Sequence, residues 1–165
     1  MALVDGLLPE FDREMLVTRR MLAAVPFNNP DWKPHAKSKS MRELASHVAG
    51  VVRMGLFVLT QSDLETGSTF PRLPDVTSND ELLKRFDEFV TNVRKELIGR
   101  GDGEMMVPWS MKRDGKEMFT MPRASAWRTF VISHLIHHRG QLSVYLRLNE
   151  VPVPPVYGPT ADERF

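Results

Sequence analysis

Two histidines, His134 and His138, stand four residues apart in the stretch HLIHHRGQLSVYLR. On a helix that spacing projects both imidazoles side by side from one face, the arrangement used by helical zinc sites. The surrounding run from Ala126 to Asn149 has no proline and a single glycine. It predicts one helix about 35 Å long at the standard rise per residue. The apolar face of that helix reads Trp127, Val131, His134, His138, Gln141 with Leu142, and Tyr145. Imidazoles on a face that should be buried lose water and need partners. A metal ion supplies them, and so does a set of ordinary hydrogen bonds; the pair alone leaves the two readings level.

Composition limits the chemistry. The chain has 165 residues, with 22 basic and 21 acidic side chains and no cysteine. This is the size of one domain with a real core, 1–165. The near-balance of charge favours a small-molecule ligand over nucleic acid or an anionic membrane. Arg19-Arg20, Arg94-Lys95 and Arg139 form no basic stripe with interleaved aromatics, so DNA binding has little support. Without cysteine there are no disulfides, thiolate ligands or cysteine nucleophiles, and any transition-metal site must use His and carboxylates. The first residues, MALVDGLLPEFDREM, lack the features of a signal peptide, and no eighteen apolar residues run together. The expectation is a cytoplasmic protein. The ten methionines suit an adaptable apolar pocket or plain core filling.

Four helices are expected to position these residues. The first runs from 8 to 25, starting near Pro9, with Leu8, Phe11, Met15, Thr18, Leu22 and Val25 at core spacing. A proline-rich loop follows, containing Trp32 and His35, the latter read as an exposed or loop-bonded histidine. Ser40 and Glu43 form a capping box that opens a helix over 40–61. His47 flanks the apolar stripe of this helix, where a core or boundary histidine is as natural as a ligand. Residues 61–80 are turn-rich and read as a long surface loop. Ser78 and Glu81 give a second capping box for a helix over 78–99, which carries no histidine. Between 104 and 121 the period changes to alternation around Asp114-Gly115, a type I′ signal, which predicts a hairpin with Lys112 opposite Glu117 and Arg113 facing Lys116. The last helix covers 123–149, and the proline-rich tail after it should lie extended on the surface. The fold class is therefore all-α, a four-helix bundle with a small β-hairpin between the third and fourth helices.

KSKSMRELASHVAG, SHLIHHRGQLSVYLR and the tail VPVPPVYGPTADE together resemble the DinB-like family, also called the DinB/YfiT-like metalloenzymes. The resemblance covers nearly the whole chain in element order. It implies a four-helix bundle in which a divalent metal is held by three histidines, here His47, His134 and His138. It also implies frequent homodimers and, in some related bundles, thiol-dependent transfer or isomerisation. An i, i+4 pair joined by one imidazole from a facing helix supports the same triad, since three neutral nitrogens leave coordination positions open, as in catalytic sites. His137 is rotated roughly 80° or more from that centre, which makes it a flanking or interface group. Gln141 and Tyr145 share the face of the pair and are candidates for supporting or substrate contacts, or for the edge of the core.

Two functions follow. One is a metal-dependent enzyme, a hydrolase or thiol-dependent transferase, acting on a small molecule such as a low-molecular-weight thiol. The other is a metal-binding or structural bundle without turnover. Zn or Ni is the expected ion, and Fe, Mn and Co also accept imidazole. No HExxH glutamate is present, so the general base is open among His137, Glu43 and metal-bound hydroxide. Ile132 and Ile136 fall opposite the histidine stripe, where a homodimer could bury them.

Overall fold

The backbone of α1 starts at Leu3 and ends at Ala23, in a computed structural model that describes residues 2–68 and 70–164. Pro9 lies inside this helix rather than opening it. The earlier start has a physical cause in two carboxylates. Ala2 N–H donates to Asp5 at 2.8 Å and Leu3 N–H donates to Asp102 at 2.7 Å, which satisfies free amides at the positive end of the helix. Burial of Val4 and Leu7 offsets the hydrogen bond that Pro9 removes.

The expected second helix is two: α2, Met41–Val51, and α3, Met54–Thr60. Ser40 caps α2, with Glu43 N–H donating to its hydroxyl and Ser40 N–H donating to the Glu43 carboxylate at 2.7 Å. At the break, Arg53, Gly55 and Leu56 amides donate three residues back, to Gly50, Val52 and Arg53, so one turn is tightened. The apolar character of Met41–Thr60 is spent on the core: Met41, Leu44, Ala45, Val48, Val51, Val52, Val58 and Leu59 are all buried. Gly55 is where α3 touches its neighbours, because a Cβ there would lie 2.6 Å from Val93 Cγ1 and 3.2 Å from the Trp127 ring.

Residues 61–80 are not all loop. Asp63–Thr66 forms β1, which pairs in parallel with β2, Pro108–Arg113; β2 in turn pairs antiparallel with β3, Lys116–Pro122. The all-α expectation is thus corrected to a mostly helical chain with a small three-stranded sheet. The sequence hides β1 because its hydrogen bonds come from a strand more than forty residues away, and its only buried residue is Leu64. Lys112 does sit opposite Glu117 and Arg113 opposite Lys116. Asp114 and Gly115 both have positive φ, 52° and 76°, as a type I′ turn requires. The Lys112 ammonium bonds Asp63 of β1 at 2.9 Å, which adds a counter-charge absent from an isolated hairpin.

Asn79–Leu97 is α4, capped by Ser78. Its box is incomplete, since the Glu81 carboxylate takes the amide and hydroxyl of Thr77 instead of Ser78. A short α5, Asp102–Met106, precedes the sheet and buries Met105. The long last helix is interrupted: α6, Arg123–Trp127, passes through a π-helical segment, Arg128–Ser133, into α7, His134–Leu148. α1 packs on α4 and α2 on α7, with further contacts between α2 and α4 and between α1 and α7.

The π segment shifts the phase of everything after it. Val131, Ile132, Leu135, Arg139, Leu142 and Leu146 face the core, and His134 and His138 lie at its half-buried edge rather than at its centre. Ile132 is buried by its own chain and Ile136 packs partly on the core, so neither supplies the apolar surface on which self-association was expected. Arg139 enters the core to meet Glu14 at 2.7 Å, with side-chain exposures of 2% and 6%. It also donates to Thr18 Oγ1 at 2.9 Å and to Tyr157 Oη at 2.9 Å, while Tyr157 donates to Glu14. The tail is therefore fastened: Val153 and Pro155 are buried, and Asp162 accepts from Val153 N–H and pairs with Arg147.

Two stability tests follow. Gly55→Ala should destabilise the chain, because an overpacking cost of about 1–3 kcal/mol exceeds the helix-propensity gain of at most about 1 kcal/mol. Gly140→Ala, exposed on α7 with nothing within 4 Å of its Cβ, should raise the melting temperature. In the second test, Arg139→Ala should cost about 3–5 kcal/mol in urea unfolding by stranding a buried carboxylate, whereas the double change Arg139→Met with Glu14→Leu should be close to neutral.

Candidate metal centre

α2 contributes His47 to the face that meets α7, and α7 contributes His134 at its first position and His138 one turn later. One ligand atom from each of the three lies within 4.8 Å of the others. His47 Nε2 and His134 Nε2 are 3.3 Å apart. Two nitrogens about 2.0–2.1 Å from one ion at a tetrahedral angle are separated by about 3.3 Å, so this pair is spaced for a shared ion. The ring centroids of His47 and His138 are 4.3 Å apart, and those of His134 and His138 are 4.7 Å apart.

The outer edge of one ring is already engaged. His138 Nδ1 lies 2.7 Å from Gln141 Oε1. A carbonyl oxygen only accepts, so Nδ1 carries the proton and the Nε2 lone pair is left free. The Phe130 carbonyl favours the charged form of the His134 ring. Phe130 belongs to the π segment, which runs directly into the first residue of α7.

All three imidazoles are held neutral. Burial is the largest cause for each, followed for His47 by repulsion from His138, His134 and Lys39, and His47 is pushed down to about 4. His134 is lowered by burial and by His138, while the Phe130 carbonyl pulls the other way. His138 is lowered by burial and by His137 and Lys39, while Gln141 pulls the other way. Neutral nitrogens with converging lone pairs are what a divalent transition ion requires. The donor set fits such an ion.

The remaining sequence candidates separate. Gln141 holds His138, as its position suggested. Tyr145 is buried and donates its hydroxyl to the Lys39 carbonyl at 3.0 Å, with Trp32 against its ring at 5.6 Å; it anchors the loop before α2. His137 is exposed, its ring beside His138 at 4.8 Å. Glu43 is committed to the amide of Ser40. His35 is exposed in its loop, where its Nδ1 accepts from Lys37 N–H at 3.1 Å.

A cleft of about 590 Å³ opens on the His47 and His134 side, and a smaller hollow of about 400 Å³ lies beside His138 and Gln141. Lys39 borders both. The turn-rich connection 61–80 is of the kind that forms the mouth of a site, and residues 70–75 of it do wall the cleft; Lys39 and Arg53 carry no local pattern that singles them out. Arg139 and Glu14 were also missed as core residues. Glu14 did leave a signal, lying three residues after Phe11 and four before Thr18 on the buried face of α1.

A model of the DinB family matches residues 3–164. The chain belongs to the DinB family. Among solved structures it is similar to a DinB-like protein from Bacillus cereus ATCC 10987, at 21% identity and TM-score 0.70, covering 93% of this chain and 97% of that one. A DinB-like protein from Bacillus subtilis is similar at 18% identity and TM-score 0.71, covering 92% and 96%. No curated protein matches. These likenesses establish a shared fold; the site rests on the residues of this chain.

The depressed histidines set the acid response of the metal-free DinB chain. The unfolded chain takes up protons near pH 6.5 while the folded histidines resist. Their contribution to stability is therefore complete above that pH and is lost as pH falls from about 6.5 toward about 4, the His47 value. Urea melts of metal-free protein at pH 7.5, 6 and 5 should show a falling midpoint, and a triple His→Gln variant should flatten that fall.

Proposed function

We propose that this DinB-family chain is a four-helix-bundle metalloenzyme in which His47, His134 and His138 hold one divalent ion through Nε2. The observation that carries this reading is the convergence of three half-buried imidazoles from two helices, with one of them held by Gln141. Zn or Ni suits three imidazoles best, and Fe, Mn or Co also fit the donor type. Bound there, such an ion supplies Lewis acidity and lowers the pKa of a coordinated water or thiol. The reaction we assign is hydrolysis or thiol-dependent transfer on a small-molecule substrate.

The chain's own residues account for positioning. Gln141 keeps the His138 lone pair turned inward, and the Tyr145–Lys39 bond holds the loop that borders both hollows. With no cysteine in the chain, the thiol of a transfer reaction comes from the substrate side. The cleft of about 590 Å³ beside His47 and His134 supports turnover over a purely structural metal site, which needs no adjoining space.

A matched pair of variants tests the site. His138→Ala should lose most of the zinc or nickel that the wild-type chain retains through dialysis, and His35→Ala should retain it, as read by metal analysis of untagged protein. Affinity should also fall with pH through the histidine range, because protons compete for the same lone pairs. Equal metal retention by both variants would falsify the triad.

A further inference from the structure

Arg53, like Arg123, is a half-buried arginine without a carboxylate partner among the described residues, and Arg53 is the one of the two that borders the cleft. It is half-buried in the turn between α2 and α3, in the wall of the cleft that His47 and His134 border. Its guanidinium carbon lies 5.3 Å from the ring centres of both Phe57 and Phe70, which meet edge to face at 5.8 Å. Its Nη2 donates to the Pro71 carbonyl at 2.8 Å. Nε and Nη1 have no protein acceptor, and the side chain has no carboxylate partner, among the described residues. Arg19, Arg42, Arg85, Arg94, Arg100 and Arg147, by contrast, all pair with acids.

A guanidinium fixed by two rings and one carbonyl is pre-organised, so little side-chain entropy is lost when it takes a ligand. Partial burial without a counter-ion leaves its charge under-solvated, and an incoming anion relieves that cost. Lys39 and Arg72 border the same cleft. Of the two acids there, Glu43 is bound to the Ser40 amide and Asp75 is exposed. Met54, Phe70 and Leu73 give the cleft an apolar surface. Arg53 follows His47 by six residues, in the tightened turn just after α2.

We propose that Arg53 anchors the anionic group, a carboxylate or phosphate, of a substrate whose short apolar body lies along the cleft with its reacting end toward the three histidines. The proposal rests on the reading of this cleft as the substrate site of a metalloenzyme, and it adds the substrate class. The guanidinium is a positioning group; the bonds that change lie at the other end of the molecule.

Calorimetric titration of zinc-loaded protein with hexanoate, hexyl phosphate and hexanamide tests it. The two anions should bind at least about tenfold more tightly than the neutral amide, as expected for a charge-assisted pair. Whichever anion binds more tightly identifies the anionic group. Arg53→Met, which keeps the stem against the rings, should bring both anions down to the amide's level. Arg53→Lys, which keeps the charge, should retain part of the preference and serves if the Met variant melts early. The same titrations on His138→Ala separate the two readings: an anion preference that survives there but vanishes in Arg53→Met supports the anchor even if zinc does not bind. A preference unchanged by Arg53→Met, or equal binding of hexanoate, hexyl phosphate and hexanamide, overturns it.

Discussion

The ion pair between Arg139 and Glu14 constrains the rest of the molecule more than any apolar contact does. A buried pair of this kind gives little net stability over a well-packed apolar substitute, because both charges lose their water. What it does restrict is geometry. Arg139 has one partner set in α1, comprising Glu14 and Thr18, and it can reach that set only when α7 is turned to one rotational phase. Successive helix residues are turned by about 100°, so fixing Arg139 toward α1 turns the neighbouring His138, and His134 one turn before it, toward α2. The pair thus aims two imidazoles without touching them. Tyr157, bonded to both members, adds the C-terminal tail to the same lock.

Neutral imidazoles gathered at a half-buried site are costly until something uses their lone pairs. Burial has already lowered their affinity for protons, which removes the main competitor of a metal ion. The outer nitrogen of His138 is spent on Gln141, so the rotation and tautomer of that ring are settled before a ligand arrives. The π-helical turn ends directly before His134. Irregular helix and candidate metal site are thus adjacent in the chain, in keeping with the tendency of π turns to sit at functional positions.

The chemistry was more legible in the amino-acid sequence than the geometry that aims it. His134 and His138 were visible from their spacing, and His47 from the resemblance of the whole pattern, because ligand type and separation are local properties of the chain. The buried stripe of the last helix differs from the sequence expectation for one reason: a uniform 3.6-residue period does not hold through Arg128–Ser133, where the helix is wider. Asp63–Thr66 reads as loop because a strand bonded only to a distant segment leaves little trace in four residues. A helix start near Pro9 follows a sound local rule, which is overridden by Asp5 and by Asp102, a carboxylate far along the chain that packs against the first turn. Glu14 and Arg139 were each passed over as charged residues, since neither shows its partner until the two helices are side by side.

The cleft is assembled from two kinds of chain. Its floor belongs to α2 and α7, where helix packing and a buried ion pair leave few residues free to vary. Its wall is the irregular connection around Phe70–Asp75, which touches the floor through Leu73 over Gly50 and is tied back by Arg53 at the Pro71 carbonyl. Substitutions in that connection can change which molecules fit without disturbing the histidines or the packing beneath them. On the proposed reading, reactivity and selectivity would be inherited separately, and a lineage could keep the three-histidine floor while exchanging one substrate for another through a short stretch of loop.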